Sequence, residues 1–439
     1  MRVGELLPAV LFTGLLFAQQ AGINTPEGDG MTALHWAAFH DDVELAGRLL
    51  AGGANVSAVT RLDALTPLSM ACTNGSAAMI ELLLKAGADP NAATATGATA
   101  LMTAAASGSA EAVKVLLDRG AGVNAKEAAH GQTALMFAAA DNRPEAVRML
   151  MAHGADAKIT TKVVSLEKPK VDDDGNPIRE RPAPKPGDLE GIALAGRRVS
   201  PKLTGGMTAL LFAARDGRLD AARALVEAGA DVNQVSAGDR SSPMVIAVSN
   251  GHYELGKYLL DRGADPNLAN EDGLAPLYAA VDMQWAPVSW APNPITVQEK
   301  VSYLDLMKAL LDRGANPNAR LTRKLWFRPT SHDQEWIGTA GSTAFWRAAL
   351  STDVAAMRLL VARGADPRIA SNEGDTPLMV AAGMGWSANF SQNAPGGWLE
   401  AVRYCLELGA DVNATDLFNY TALHGAAYRG DNEVVRFLV

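Results

Sequence analysis

The phrase Leu65-Thr66-Pro67-Leu68-Ser69-Met70-Ala71 is closed about twenty residues later by Ala86-Gly87-Ala88-Asp89-Pro90-Asn91, and the pair returns along nearly the whole chain. Aligning the threonine of the first phrase, or its substitute, gives Thr32, Thr66, Thr99, Thr133, Thr208, Ser242, Ala275, Thr343, Thr376 and Thr421. Where the series is unbroken, neighbours stand about 33 residues apart. A unit that short leaves its apolar stripe half bare, so it gains stability by stacking on its neighbours. For a chain of 439 residues this replaces the expectation of two or three separate globules with one elongated core.

The local chemistry of one unit agrees. Thr66-Pro67 begins a helix, with a hydroxyl residue suited to the N-cap and proline suited to the first helical position. Leu68 and Ala71 share one face, and small Ala71 admits a neighbouring helix. In a second helix Ile80, Leu83 and Leu84 form the buried stripe. Gly87 stands where that helix ends in a left-handed conformation, and Asp89-Pro90-Asn91 supplies turn chemistry.

These phrases resemble the signature of the ankyrin-repeat family, in the manner of exported bacterial multi-repeat members. Gly-x-Thr-Ala/Pro-Leu-x-x-Ala-Ala opens each unit and Leu-Leu-x-x-Gly-Ala-Asp-x-Asn closes it. The resemblance implies an all-α repeat solenoid of about ten stacked helix-turn-helix units with β-hairpin fingers. It also implies binding of another protein on the concave face, and an inter-repeat hydrogen bond from the fourth residue of the Thr-Ala-Leu-His phrase, here His35 and His424.

The ends carry separate information. Met1-Arg2 followed by the apolar run Leu6 to Ala18 reads as a secretory leader spanning residues 1–21, although Glu5 is unusual there. Export to the periplasm or the exterior is therefore expected, with no membrane span in the mature chain because no other apolar run is long enough. At the other end, Phe437-Leu438-Val439 stops short of the terminating glycine, so the last repeat reads as cut short. Cys72 and Cys405 fall in distant repeats, and a bridge between them is not expected. A net charge of −9 argues against a nucleic-acid partner, which needs a basic face.

Repeats 1–4 thus occupy residues 28–156 and repeats 5–10 occupy 205–439, separated by a charged, proline-rich insertion at 157–204. That insertion reads as an extended arm, with a short hairpin possible around Asp174-Gly175-Asn176. Aromatic insertions fall at 283–299, 320–340 and 385–398. Seven of the eight tryptophans lie between 285 and 398. Tryptophan with arginine nearby is the usual material of binding hot spots. The partner-binding candidates are therefore Trp285, Trp290, Arg323, Trp326, Phe327, Arg328, Trp336, Trp386, Phe390 and Trp398.

The insertions of repeats seven and nine are expected on the edge opposite the fingers, where a repeat spacing of roughly 10 Å lets them form one platform. The competing reading is that these tryptophans pack on each other to hold long loops.

Nothing in the motifs indicates catalysis. There is no phosphate loop, nucleophile elbow or His-Glu-x-x-His pair. His130, His153 and His252 have no ligand partner at metal spacing, and His332-Asp333-Gln334-Glu335 lacks a nucleophile. No cofactor and no metal are expected. The chain reads as a non-catalytic, monomeric scaffold for another protein. Two alternatives are the regulatory portion of a longer enzyme or redox protein, and a periplasmic carbohydrate or cell-wall binder.

Overall fold

The computed structural model describes residues 22–166, 203–287, 296–325, 337–388 and 391–439. Within them the protein is an all-α repeat solenoid of twenty α-helices, with one 3-10 turn and one two-stranded ribbon. The chain divides into two compact units, one running to Lys162 and including Met207–Asp231, the other comprising Val163–Gly206 and Val232–Val439.

The first unit holds five helix pairs: α1 (Ala33–Phe39) with α2 (Val43–Ala51), α3 (Pro67–Asn74) with α4 (Ala77–Lys85), α5 (Ala100–Ser107) with α6 (Ala110–Asp118), α7 (Ala134–Ala140) with α8 (Pro144–Ala152), and α9 (Ala209–Arg215) with α10 (Leu219–Glu227). First helices pack on first helices of adjacent repeats, and second helices on second. Thr66 sits in extended backbone, its hydroxyl oxygen accepts from the Ser69 N–H at 3.1 Å, and Pro67 follows at the first helical position. Such caps satisfy donors a helix start would otherwise leave unpaired.

The leucine two residues after each cap forms the core, with Leu34, Leu68, Leu101, Leu135 and Leu210 all at most 2% exposed. Each is worth roughly 1.5–3 kcal/mol of burial. At the end of α4, Gly87 has φ 97°, a conformation that strains a side chain.

The closing phrase does more than turn the chain. Asp89 folds it locally by accepting from the Asn91 N–H at 2.8 Å. Asn91 then reaches into the next repeat, donating to the Gly120 carbonyl at 3.0 Å and accepting from Gly122 N–H at 2.8 Å. Asn124 repeats this on Gly154 and Asp156. In the second unit Asn267 and Asn318 do so on the following Gly-Ala-Asn and Gly-Ala-Asp. This row of amides ties neighbouring units at the base of the fingers.

The second unit opens with β1 (Val163–Ser165) and β2 (Leu203–Gly205), antiparallel with Val163 opposite Gly205. The ends of the long insertion therefore form a ribbon, seated on the next finger through the Ala237 N–H to the Gly206 carbonyl at 3.1 Å. The turn suggested around Asp174-Gly175-Asn176 lies outside the described residues. The helices are α11 (Pro243–Ser249), α12 (Tyr253–Asp261), α13 (Pro276–Gln284), α14 (Tyr303–Asp312), α15 (Ala344–Leu350), α16 (Val354–Val361), α17 (Pro377–Ala382), α18 (Trp398–Glu407), α19 (Ala422–Arg429) and α20 (Asn432–Leu438). One insertion separates α13 from α14, one precedes α15, and one separates α17 from α18.

Candidate functional site

Four residues after each cap lies a position whose burial varies along the stack. In the first unit it holds Trp36, Met70, Thr103 and Phe137, all half-buried, and Phe212 at 6% exposure. One such side chain per repeat, mostly apolar, makes a lane across the first helices. At its start Trp36 stacks on His40 with centroids 5.8 Å apart and meets Phe39 edge-on at 6.3 Å. Phe39 itself is 43% exposed. At the other end the Arg215 guanidinium lies 4.8 Å over the Phe212 ring.

In the second unit the equivalent Ile246 is half-buried, whereas Ala279, Arg347, Val380 and Gly425 are buried. Arg347, 2% exposed, donates from Nε to Asp282 at 2.8 Å, from Nη2 to the Trp285 carbonyl at 2.7 Å, and from Nη1 to the Ser351 hydroxyl. The turn between α15 and α16 is closed as well, with Ser351, Thr352 and Asp353 at 1–2% exposure. In the first repeat the corresponding turn His40-Asp41-Asp42 is largely open.

Both helix–helix insertions cover that turn. From repeat seven, Trp285 donates its indole N–H to Asp353 at 2.8 Å, and Tyr303 at the start of α14 donates its hydroxyl to the same oxygen at 2.8 Å. Burial, with Asp353 adjacent, holds the Tyr303 phenol far above the usual tyrosine range. From repeat nine, the Ala394 N–H reaches the Ser351 carbonyl at 2.9 Å, and the Asn393 amide reaches the Leu350 carbonyl at 3.3 Å. The two insertions meet the same turn of repeat eight. Asp353 also caps α16 through the Ala356 N–H at 3.0 Å, so one carboxylate orders three segments.

The other candidates have their own places. Arg323 pairs with Glu271 at 3.0 Å and with Asp272, joining two successive fingers. Trp386 and Trp398 meet edge-on at 6.2 Å. Arg429 of α19 lies 3.1 Å over the Trp398 ring and 5.7 Å from that of Trp386, and it pairs with Asp431 at 3.2 Å. Burial lowers the Arg429 guanidinium to about 10. Trp398 nevertheless lines an open cleft together with Gly397, Glu400, Arg403, Asp431 and Glu433. Trp290, Trp326, Phe327, Arg328, Trp336 and Phe390 lie outside the described residues.

Sequence reasoning passed over Trp346, Arg347, Asp353 and Arg429. The available signal was chemical: an arginine occupies the half-open position of repeat eight, where the other repeats carry an uncharged residue.

His35, at 0% exposure, has its Nε2 3.0 Å from the Leu65 carbonyl of the next repeat. Cys72 and Cys405 are free and buried, and burial pushes both thiols up, Cys405 to about 12. Among the described residues no group of three or more His, Cys, Asp or Glu is placed to hold a metal ion. None of their helices is long and apolar enough to cross a membrane.

An ankyrin-repeat family model matches residues 9–94, 68–161, 192–270 and 210–286, and a second one matches 394–439. Protein phosphatase 1 regulatory subunit 27 of Mus musculus is 36% identical over 96 residues, which is 20% of this chain and 60% of that protein. Alpha-latrocrustotoxin-Lt1a of Latrodectus tredecimguttatus is 26% identical over 204 residues, 46% of this chain and 12% of the toxin. The chain thus spans 60% of the one relative and 12% of the other. The ankyrin repeat domain of Bcl-3 overlays with a TM-score of 0.43 at 25% identity, covering 57% of this chain and 94% of that domain.

Proposed function

Because the chain belongs to the ankyrin-repeat family, we propose that it is a non-catalytic scaffold that binds another protein through its concave surface, with the Trp-rich loops as a second contact. The observation that carries this reading is the lane of Trp36, Met70, Thr103 and Phe137, part-open on successive first helices. Apolar and aromatic side chains on a rigid scaffold bind with little ordering entropy to lose. Loop contact would fall to the open side of Trp398, since Arg429 already covers one face of its ring. The leader-like residues 1–21 support export, so the partner is sought in the periplasm or outside the cell, with the scaffold acting as a monomer.

Affinity capture from a periplasmic extract tests the reading, using the mature chain and the double variant Trp36→Ala/Phe137→Ala as baits. A partner retained by the first and lost by the second, at unchanged unfolding midpoint, is the expected result. Truncating a hot-spot aromatic typically costs 2 kcal/mol or more, roughly thirtyfold in affinity. A partner held equally by both baits would move the binding surface elsewhere.

A further inference from the structure

Asp375 closes finger nine, immediately before the cap of α17 at Thr376. Its counterparts in the other repeats are Met31, Leu65, Ala98, Gln132, Met207, Ser241, Leu274, Ser342 and Tyr420, none of them a carboxylic acid. The side chain is nonetheless enclosed, at 1% exposure. Its Oδ2 accepts from the Ser371 hydroxyl at 2.8 Å and from the Gly338 N–H at 3.3 Å, while buried Oδ1 has no hydrogen-bond partner.

Among the described residues, the charged groups around it do not compensate. Glu373 on the same finger and Asp416 on the next are both acidic, and each disfavours ionisation of Asp375. From the preceding finger, Arg320 directs its guanidinium to the Gly341 carbonyl at 2.6 Å, the Ala370 carbonyl at 2.9 Å and Asn372 Oδ1 at 3.4 Å. From α15, uncharged Trp346 meets only the Asp375 main-chain carbonyl, at 2.8 Å. Chiefly through burial, the carboxyl is raised to about 7.

Against this carboxyl lies the leg Ile337–Gly341, by which the insertion at 320–340 returns to the stack. The leg is seated by the Asn372 N–H on the Ala340 carbonyl at 2.7 Å and the Gly341 N–H on the Leu321 carbonyl at 2.8 Å. A Cβ at Gly338 would collide with the Glu373 carboxylate, so the leg lies hard against this acidic finger.

We propose that Asp375 makes the seat of this leg pH-dependent: with Ile337–Gly341 seated, the enclosed carboxyl is neutral, and its ionisation favours lifting of the leg, because water solvates the charge better than the Gly338 N–H and Ser371 hydroxyl alone. On ionisation the proton passes to solvent and leaves a carboxylate that must be hydrated or paired. Ser371 belongs to the finger turn and Trp346 is packed in α15, so the leg is the neighbour that yields. This device goes beyond the scaffold reading and does not depend on which partner is bound.

Amide hydrogen exchange on the full chain tests it, at Gly338 and Asn372, from about pH 5.5 to about pH 8.5, expressed as protection factors. In the wild type protection should fall with rising pH, by up to about tenfold per pH unit. In Asp375→Asn it should stay level. A level profile in the wild type, or an unchanged slope in Asp375→Asn, overturns the proposal. Should the variant not fold, a carbon-13 titration of the Asp375 carboxyl in the wild type decides the matter. Protection at Gly338 that falls over the range of a midpoint near neutrality upholds the proposal, and a midpoint in the ordinary carboxylate range, or protection that does not follow the midpoint, overturns it.

Discussion

Trp346 donates its indole N–H to the main-chain carbonyl of Asp375 at 2.8 Å, and His35 makes the same contact with the carbonyl of Leu65 at 3.0 Å. Each donor stands three residues after its cap threonine, and each acceptor immediately precedes the cap of the next repeat. A carbonyl can only accept, so His35 Nε2 carries the proton. In repeat eight an indole thus performs the inter-repeat bond of repeat one, while filling far more of the core.

Trp346→Phe keeps most of that volume and removes one of the two hydrogen bonds to the Asp375 carbonyl, which still accepts from the Ser371 N–H at 3.0 Å, and should cost about 0.5–1.5 kcal/mol. Trp346→Ala adds a cavity and should cost about 3–5 kcal/mol. Urea midpoints followed by circular dichroism measure both. Equal, small losses would mean that the bond carries no weight and that the site collapses freely.

His35 is expected to make the first repeat acid-sensitive. Its Nδ1 accepts from the Thr32 N–H at 3.2 Å and faces the Thr32 hydroxyl at 2.9 Å, so the buried ring is held neutral. Burial lowers its pKa. The native state then binds fewer protons than the unfolded chain below the ordinary histidine pKa of about 6.5, and stability falls as pH drops through that value. The slope is at most about 1.4 kcal/mol per pH unit. Exchange protection of Trp36 between about pH 7 and about pH 5 should weaken in the wild type and hold level in His35→Gln.

The buried pair Arg347–Asp282 should behave asymmetrically. Removing one partner, as in Asp282→Ala or Arg347→Met, leaves an uncompensated charge or an unfilled hydrogen-bond network and should cost about 3–5 kcal/mol. Asp282→Leu/Arg347→Met should regain most of that loss. A double-mutant cycle on chemical unfolding reads the coupling, and additive losses would show that the two side chains act independently.

Asp353 and Asp42 occupy the same capping position in repeats eight and one. Asp42 caps α2 through the Leu45 N–H at 2.8 Å. Asp42→Ala should therefore cost about 1 kcal/mol. Asp353→Ala also strands the Trp285 indole and the Tyr303 hydroxyl, and should cost at least about 2 kcal/mol more. Thermal unfolding of the two variants side by side checks the ranking.

Much of this fold was legible in the linear chain because ankyrin-type units are local. Thr66-Pro67, Leu68, Gly87 and Asp89 each act within a few residues, so their types announce their roles. The amide row escaped notice because Asn91 looks like one more turn residue, while its partners Gly120 and Gly122 lie a whole repeat away. Grouping the tryptophans by insertion picked out Trp285, Trp386 and Trp398. In the fold, Trp285 and Asn393 meet the turn between the two helices of repeat eight. What composition could not say is how each ring is engaged there: by Asp353, by Arg429 or by another indole.

The sequence by itself determined the repeat, its caps, its helix ends and the identity of the core, because those follow from short-range periodicity and backbone preference. Only the tertiary structure decided which surface stays open. Phe137 and Arg347 occupy the same place in their repeats, yet one is half exposed and the other sealed. That difference is not a property of either side chain. It depends on what the chain brings back from far along its length, for Asp282 lies in the preceding repeat and Ala394 in the following one. Burial, ion pairing and proton affinity are set by such returning segments, and no spacing within a single unit records them.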